Sequence, residues 1–222
     1  GVHLTLASEM SPFRWGPVLK KESVPSLVDS GGWFWPSERD VAAHASIVEV
    51  ERELRAQIEL ARSRGIRISH LDHHMWVLYM RPDLLQLYAS LGEEYDLPIR
   101  FGRSLPPSDL MPPTRECVAA YEECRDRLLA RGMPGFDSLD ADSYDVAPDD
   151  KRAYFLDRIR RLPSGVSQFV VHCSYDRPGS VVLRSAARRA ADTRVFTSAE
   201  IASECRRLGI ELISHKQLGG GS

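Results

Sequence analysis

Long apolar runs are missing from this sequence. None approaches the roughly 20 residues that a membrane-spanning helix needs, and no charged-then-apolar leader opens the chain, so no membrane partner is expected. Charge of one sign is lacking too. The formal net charge is −2, from 29 basic and 31 acidic residues that are interspersed, which argues against a nucleic-acid surface as the main partner. The 4 cysteines (Cys117, Cys124, Cys173, Cys205) make no CxxC pair, so neither a thiolate metal site nor a disulfide framework is expected, and a reduced, cytoplasmic protein is the simplest account. The glycines build no GxGxxG or other phosphate-cradling loop. Neither Ser164 nor Ser180 sits in a nucleophile elbow.

What is present is an alternation of strand-like and helix-like segments over 222 residues, enough for one domain over residues 1–217. "GVHLTL" alternates as a strand and is followed by a loop rich in Pro, Trp and Gly. Ile47, Val50, Leu54 and Ile58 then recur at helical spacing, and Gly65 follows as a C-cap. Pro82 opens the next helix, "LPIRF" reads as a strand, and Thr114 and Gly132 bracket a further helix. Residues 138–150 read as loop and residues 165–174 as a buried strand. Residues 181–191 and 198–209 read as helices, and residues 210–214 as a last strand. Repeated β–α units with short connections predict an α/β fold, either a parallel-stranded barrel or a doubly wound sheet. The start at Gly1 without methionine and the linker-like tail at 218–222 suggest a fragment with a piece missing upstream.

The densest chemistry lies in "ISHLDHHMWVLYM", residues 68–80, which holds three of the 7 histidines and one aspartate within five positions. Breakers on both sides and the Ile, Val, Leu, Trp and Tyr content favour a strand. On a strand His70, Asp72 and His74 share one face, while Leu71 and His73 share the other. Residues four apart on a strand are separated by about 13 Å, so His70 and His74 are not expected on one ion together. One of them is then a candidate ligand, with Asp72 as its neighbour. The alternative is a set of polar residues lining a barrel mouth. His3 and His172 lie on two other strand-like segments, and chemistry gathers at strand ends in such folds. Cys173 adjoins His172, but adjacent strand residues face opposite ways and cannot readily share a proton.

"GVHLTL", "SHLDHHM", "LPIR", "LPSGVSQFVVHCSYD" and "LGIELISHKQL" together resemble the YdjC-like carbohydrate deacetylases, also called the ChbG/HpnK family. The motifs fall in order along nearly the whole chain. The resemblance implies a (β/α) TIM-like barrel of the glycoside hydrolase/deacetylase type that removes acetyl groups from N-acetylated sugars with a divalent metal, Mg or Zn. It implies His3 and His74 as metal ligands and His172 as catalytic acid. Asp72, His70 and Arg100 are candidates for substrate contact or for supporting the ligands, and Trp33, Phe34 and Trp35 for either sugar stacking or core plugs.

The chain also departs from that pattern. The family's opening "ADDFG" strand, source of a third ligand and a base, would precede Gly1, so the barrel is expected to be incomplete. His73 replaces a small residue, Cys173 replaces proline, and Gln168 stands where glutamate is common. A second reading is therefore an impaired barrel that binds a sugar or a protein, and a third is a hydrolase of non-sugar amides. Self-association stays open.

Overall fold

The computed structural model describes residues 1–11, 13–104, 114–175 and 185–218. The chain groups into two compact units, Gly1–Gly135 with His215–Ser222, and Phe136–Ser214. Among the described residues no helix is long and apolar enough to cross a membrane.

In the first unit β1 (Val2–Leu4) pairs in parallel with β2 (Leu71–His73), in the register Val2↔Leu71, His3↔Asp72 and Leu4↔His73. A third extended segment joins β2 in parallel: Leu71 N donates to Pro98 O at 2.8 Å and Arg100 N to Leu71 O at 2.9 Å. The connection from β1 to β2 carries helices α1 (Glu38–His44) and α2 (Ile47–Ser63). Along α2, Val50, Leu54 and Ile58 recur every four residues, and all three are buried. Each such side chain contributes about 1.5–3 kcal/mol on burial. The helix ends as its sequence predicts, with Gly65 at φ 76.

Helix α3 (Pro82–Tyr95) starts on proline, and α4 (Arg115–Ala130) starts on Thr114, whose hydroxyl accepts from Cys117 N at 3.2 Å. At Gly92 in α3 an added Cβ would collide with Ile99, so helix and extended segment touch where only glycine fits. On the edge of β1 that no strand pairs among the described residues, a side chain bonds the next residue, Thr5. Thr5 N donates to Gln57 Oε1 at 2.9 Å, and Gln57 Nε2 donates back to Thr5 O at 2.7 Å.

The second unit holds a parallel pair of β3 (Ser138–Asp140) and β4 (Ser167–Phe169), with helices α5 (Lys151–Arg160), α6 (Ala186–Phe196) and α7 (Ala199–Arg207). Its core is Phe155, Leu156, Ile159, Val195, Ile201 and Cys205. A last short helix, α8 (His215–Leu218), belongs to the first unit.

Several expectations are corrected. The strand expected over 68–80 is only Leu71–His73. Met75 and Trp76 adopt φ 51 and 56 and turn the chain into a 3-10 segment, His74–Tyr79. Residues 138–150, expected as loop, contain β3, because ladder bonds to β4 compensate for the missing apolar alternation. The strand expected at 165–174 is half-buried and limited to Ser167–Phe169. No strand forms at 210–214. Ile210 N instead returns to Cys205 O at 2.8 Å past Gly209, and Leu212 and Ile213 are exposed. The helix expected from 181 begins at Ala186, and residues 181–184 lie outside the described residues. The architecture is α/β with parallel strand pairs. Among the described residues these pairs do not themselves close a barrel.

Candidate active site

In a parallel pair, partners in register project their side chains to the same face. The β1–β2 register therefore brings His3 to Asp72, and His3 Nδ1 lies 2.9 Å from Asp72 Oδ1. Two residues on from Asp72, His74 begins the left-handed turn. Its Nδ1 sits 3.3 Å from His3 Nε2, with ring centroids 5.4 Å apart. Its other nitrogen, Nε2, lies 2.8 Å from Glu9 Oε2. A continuous chain results: Asp72, His3, His74, Glu9.

A carboxylate only accepts hydrogen bonds. Asp72 therefore fixes the proton of His3 on Nδ1, and Glu9 fixes that of His74 on Nε2. The two nitrogens that face each other across 3.3 Å are then both lone-pair acceptors. Burial pushes the Asp72 carboxyl up, but the hydrogen bond from His3 and the nearby charge of Arg100 outweigh it and hold it below the usual carboxylate range.

Arg100 lies behind this chain, where it supports Asp72. It is 6% exposed, its Nη2 donates to His73 O at 2.8 Å, and its Nη1 is 4.0 Å from Asp72 Oδ2. The guanidinium stacks over Trp76 at 5.0 Å, a ring held there by the positive-φ turn. His73 faces the opposite way from Asp72, as strand parity predicts. It is buried against Trp76, Tyr79 and Tyr88, and neither ring nitrogen has a hydrogen-bond partner among the described residues. Burial, then the charge of Arg100, holds its pKa well below the ordinary histidine value, so it is neutral. His70 shares the parity of Asp72 but goes elsewhere: its ring stacks on His215 at 3.6 Å and its Nδ1 meets Ser69 Oγ at 2.9 Å.

The aromatic loop sorts into different roles. Phe34 is core, Trp35 stacks on His44 at 4.1 Å, and Trp33 is exposed. Trp15 is the aromatic that reaches the site, edge-on to His74 at 5.9 Å. A cavity of about 660 Å³ opens here, lined by His3, His74, Trp15, Phe34, Glu53 and Gln57 among others. Sequence reasoning missed Glu9 and Trp15, which lie in irregular loop with no periodic signal.

His172 belongs to the second unit. Its backbone N–H donates to Asp192 Oδ2 at 3.0 Å, and its ring meets Tyr144 edge-on at 5.1 Å. Asp192 in turn pairs with Lys151 at 2.8 Å, both side chains 1% exposed. Cys173 is exposed, and the other three cysteines are buried. Among the described residues no group of three or more His, Cys, Asp or Glu side chains is arranged around one ion.

Comparison with known proteins follows the same lines. A carbohydrate deacetylase of Thermus thermophilus is 32% identical over 201 residues, spanning 90% of this chain and 71% of that protein. One from Brevibacillus brevis is 27% identical over 225 residues, spanning 99% of this chain and 77% of that protein. A crystal structure from Enterococcus faecalis V583, of a proposed cellobiose-phosphate cleavage protein, superposes with a TM-score of 0.74 at 25% identity, covering 98% of this chain and 77% of that one. Residues 1–207 match the family described as YdjC-like protein, and the chain belongs to that family.

Proposed function

We propose that this protein is a carbohydrate deacetylase, a hydrolase that frees acetate from an N-acetylated sugar, and that His3 and His74 hold a divalent metal ion, Mg or Zn. The observation that carries the reading is the 3.3 Å separation of His3 Nε2 and His74 Nδ1, both left as acceptors by the carboxylates behind them. Two lone pairs so close repel unless a proton or a cation lies between them. Two nitrogens each about 2.0–2.1 Å from one tetrahedral ion stand roughly 3.4 Å apart, so the spacing fits a shared cation.

Such an ion, when bound, supplies Lewis acidity toward a carbonyl oxygen and toward water. The chain's own residues do the rest. Asp72 holds the Nδ1 proton of His3, and Arg100, buried beside Asp72, favours its anionic form. Trp15 gives the cavity an aromatic wall beside His74, suited to a sugar's apolar C–H groups. His172 is the proposed proton donor to the departing amine, a role supported by the resemblance of its segment. The parallel β–α–β pairing supports a barrel of the deacetylase type as the architecture, and the free cysteines suit a cytoplasmic location.

The test measures zinc binding and acetate release from N-acetylated sugars with the wild type, His3→Ala and His74→Ala. Loss of both metal and turnover in the two variants is expected. Wild-type zinc affinity retained by both variants would remove the metal reading. A second reading, a module that binds a sugar without turning it over, is favoured by the two-donor set among the described residues. It predicts sugar binding with no acetate release.

A further inference from the structure

We propose that Glu9 is a positioning residue that keeps the gap between His3 and His74 open by fixing the tautomer of His74. The loop that carries Glu9 is anchored on both sides of the turn it makes. Ala7 bridges to Trp35, the buried Ser8 donates its N–H to Trp35 O at 2.8 Å, and Ser8 Oγ accepts from Trp15 N at 2.9 Å. The same two anchors bring Glu9 Oε2 to 2.8 Å from His74 Nε2 and Trp15 against the His74 ring. The ring is thus held by Glu9, Trp15 and His3.

His74 has one proton and two competing acceptors. Glu9 stands at 2.8 Å from Nε2, and the lone pair on His3 Nε2 stands at 3.3 Å from Nδ1. A bond to a carboxylate is shorter and roughly twice as strong as a neutral one, so Glu9 takes the proton. Without Glu9 the best remaining partner is His3. The proton then moves to Nδ1, and the two imidazoles close on each other in a direct hydrogen bond. Glu9 is not itself a ligand for the same centre, because it meets the far nitrogen of the ring. Its part in function rests on the divalent-ion reading of the same histidine pair; its part in tautomer choice does not.

The experiment uses the full chain, freed of metal with a chelator, and compares wild type, Glu9→Ala and Glu9→Gln. Glu9 lies in an exposed loop position, so the fold should persist, and circular dichroism checks this. Nitrogen-15 spectra of the imidazoles report the tautomer, and zinc chloride titration reports affinity. The expected result is His74 protonated on Nε2 in the wild type and on Nδ1 in Glu9→Ala, with zinc affinity falling about 10–100-fold. Glu9→Gln offers only a neutral acceptor, and its amide can donate to Nε2, so it should shift the tautomer toward Nδ1 as well. An unchanged tautomer in Glu9→Ala overturns the proposal, even if zinc affinity falls, because the effect would then be charge alone. A wild-type tautomer in Glu9→Gln likewise overturns it, because the carboxylate would then not be what draws the proton. A shifted tautomer in a protein whose wild type takes up no zinc supports Glu9 as the tautomer gate and sinks the metal reading instead.

Discussion

The two units use the same parallel pairing but hold their histidines by different means. In the first, the ladder itself does the placing: His3 stands opposite Asp72 in register, and the carboxylate it needs arrives with the neighbouring strand. In the second, the chain has left β4 by the time it reaches His172, and side chains of α6 take over from a strand. Asp192 accepts the His172 N–H, while Thr193 Oγ1 accepts from Ser174 N at 2.9 Å and donates to Ser174 O at 2.8 Å. A ladder places a side chain through backbone bonds that almost any sequence can make. A helix-borne strap depends on particular side chains, so the second arrangement should be the more fragile under substitution.

The largest effect is expected at the root of that strap. Lys151→Met leaves Asp192 buried and unpaired, and loss of one partner of a buried pair costs about 3–5 kcal/mol. Urea denaturation followed by a probe in the second unit should show it. The double change Lys151→Met with Asp192→Leu should recover part of the loss, and no recovery would mean the pair is not the cause. Next is Gly92→Ala in the first unit, where the new Cβ meets Ile99. Overpacking of this kind costs about 1–3 kcal/mol, so a variant as stable as the wild type would show that α3 can move aside.

A pH effect follows for His70. Burial, then the charge of His215, lowers its pKa to about 4, below the unfolded value near 6.5. The unfolded chain therefore binds the extra proton first, and stability is lost as pH falls from about 6.5 toward 4. His70→Gln should flatten the fall in urea midpoint between pH 7 and pH 5. An equal slope in both proteins would assign the acid sensitivity to other groups. The smallest effect belongs to Met75→Gly. Glycine relieves the φ of 51 at Met75 by about 1 kcal/mol, but the change also removes a side chain packed against the core, so the two effects oppose and the melting temperature should move little by calorimetry.

Much of the local structure was legible. The helical stripe of α2, the proline and threonine starts and the glycine ends all follow from single-residue chemistry. Strand parity separated Asp72 from His73, because the side-chain period of two holds over even a three-residue strand, whereas His74 is placed by the turn that follows. The rest depended on contacts that no local pattern encodes. Glu9 meets His74 in a loop that is tied to distant residues, Ala7 and Ser8 to Trp35 and Ser8 to Trp15. Lys151, at the start of α5, meets Asp192, 41 positions on (192 − 151), only in the folded chain. Residues 210–214 have the composition of a strand and find no ladder, whereas the polar Ser138–Asp140 finds one.

The amide of Gln57 does for β1 what another chain would otherwise be free to do, since it occupies the N–H and C=O of Thr5 at the open side of the ladder. An unfilled edge is a template for sheet growth between molecules. The worth of Gln57 therefore lies less in the free energy of one folded chain than in colloidal behaviour. A Gln57→Leu protein could melt at nearly the same temperature and still come out of solution as its concentration rises.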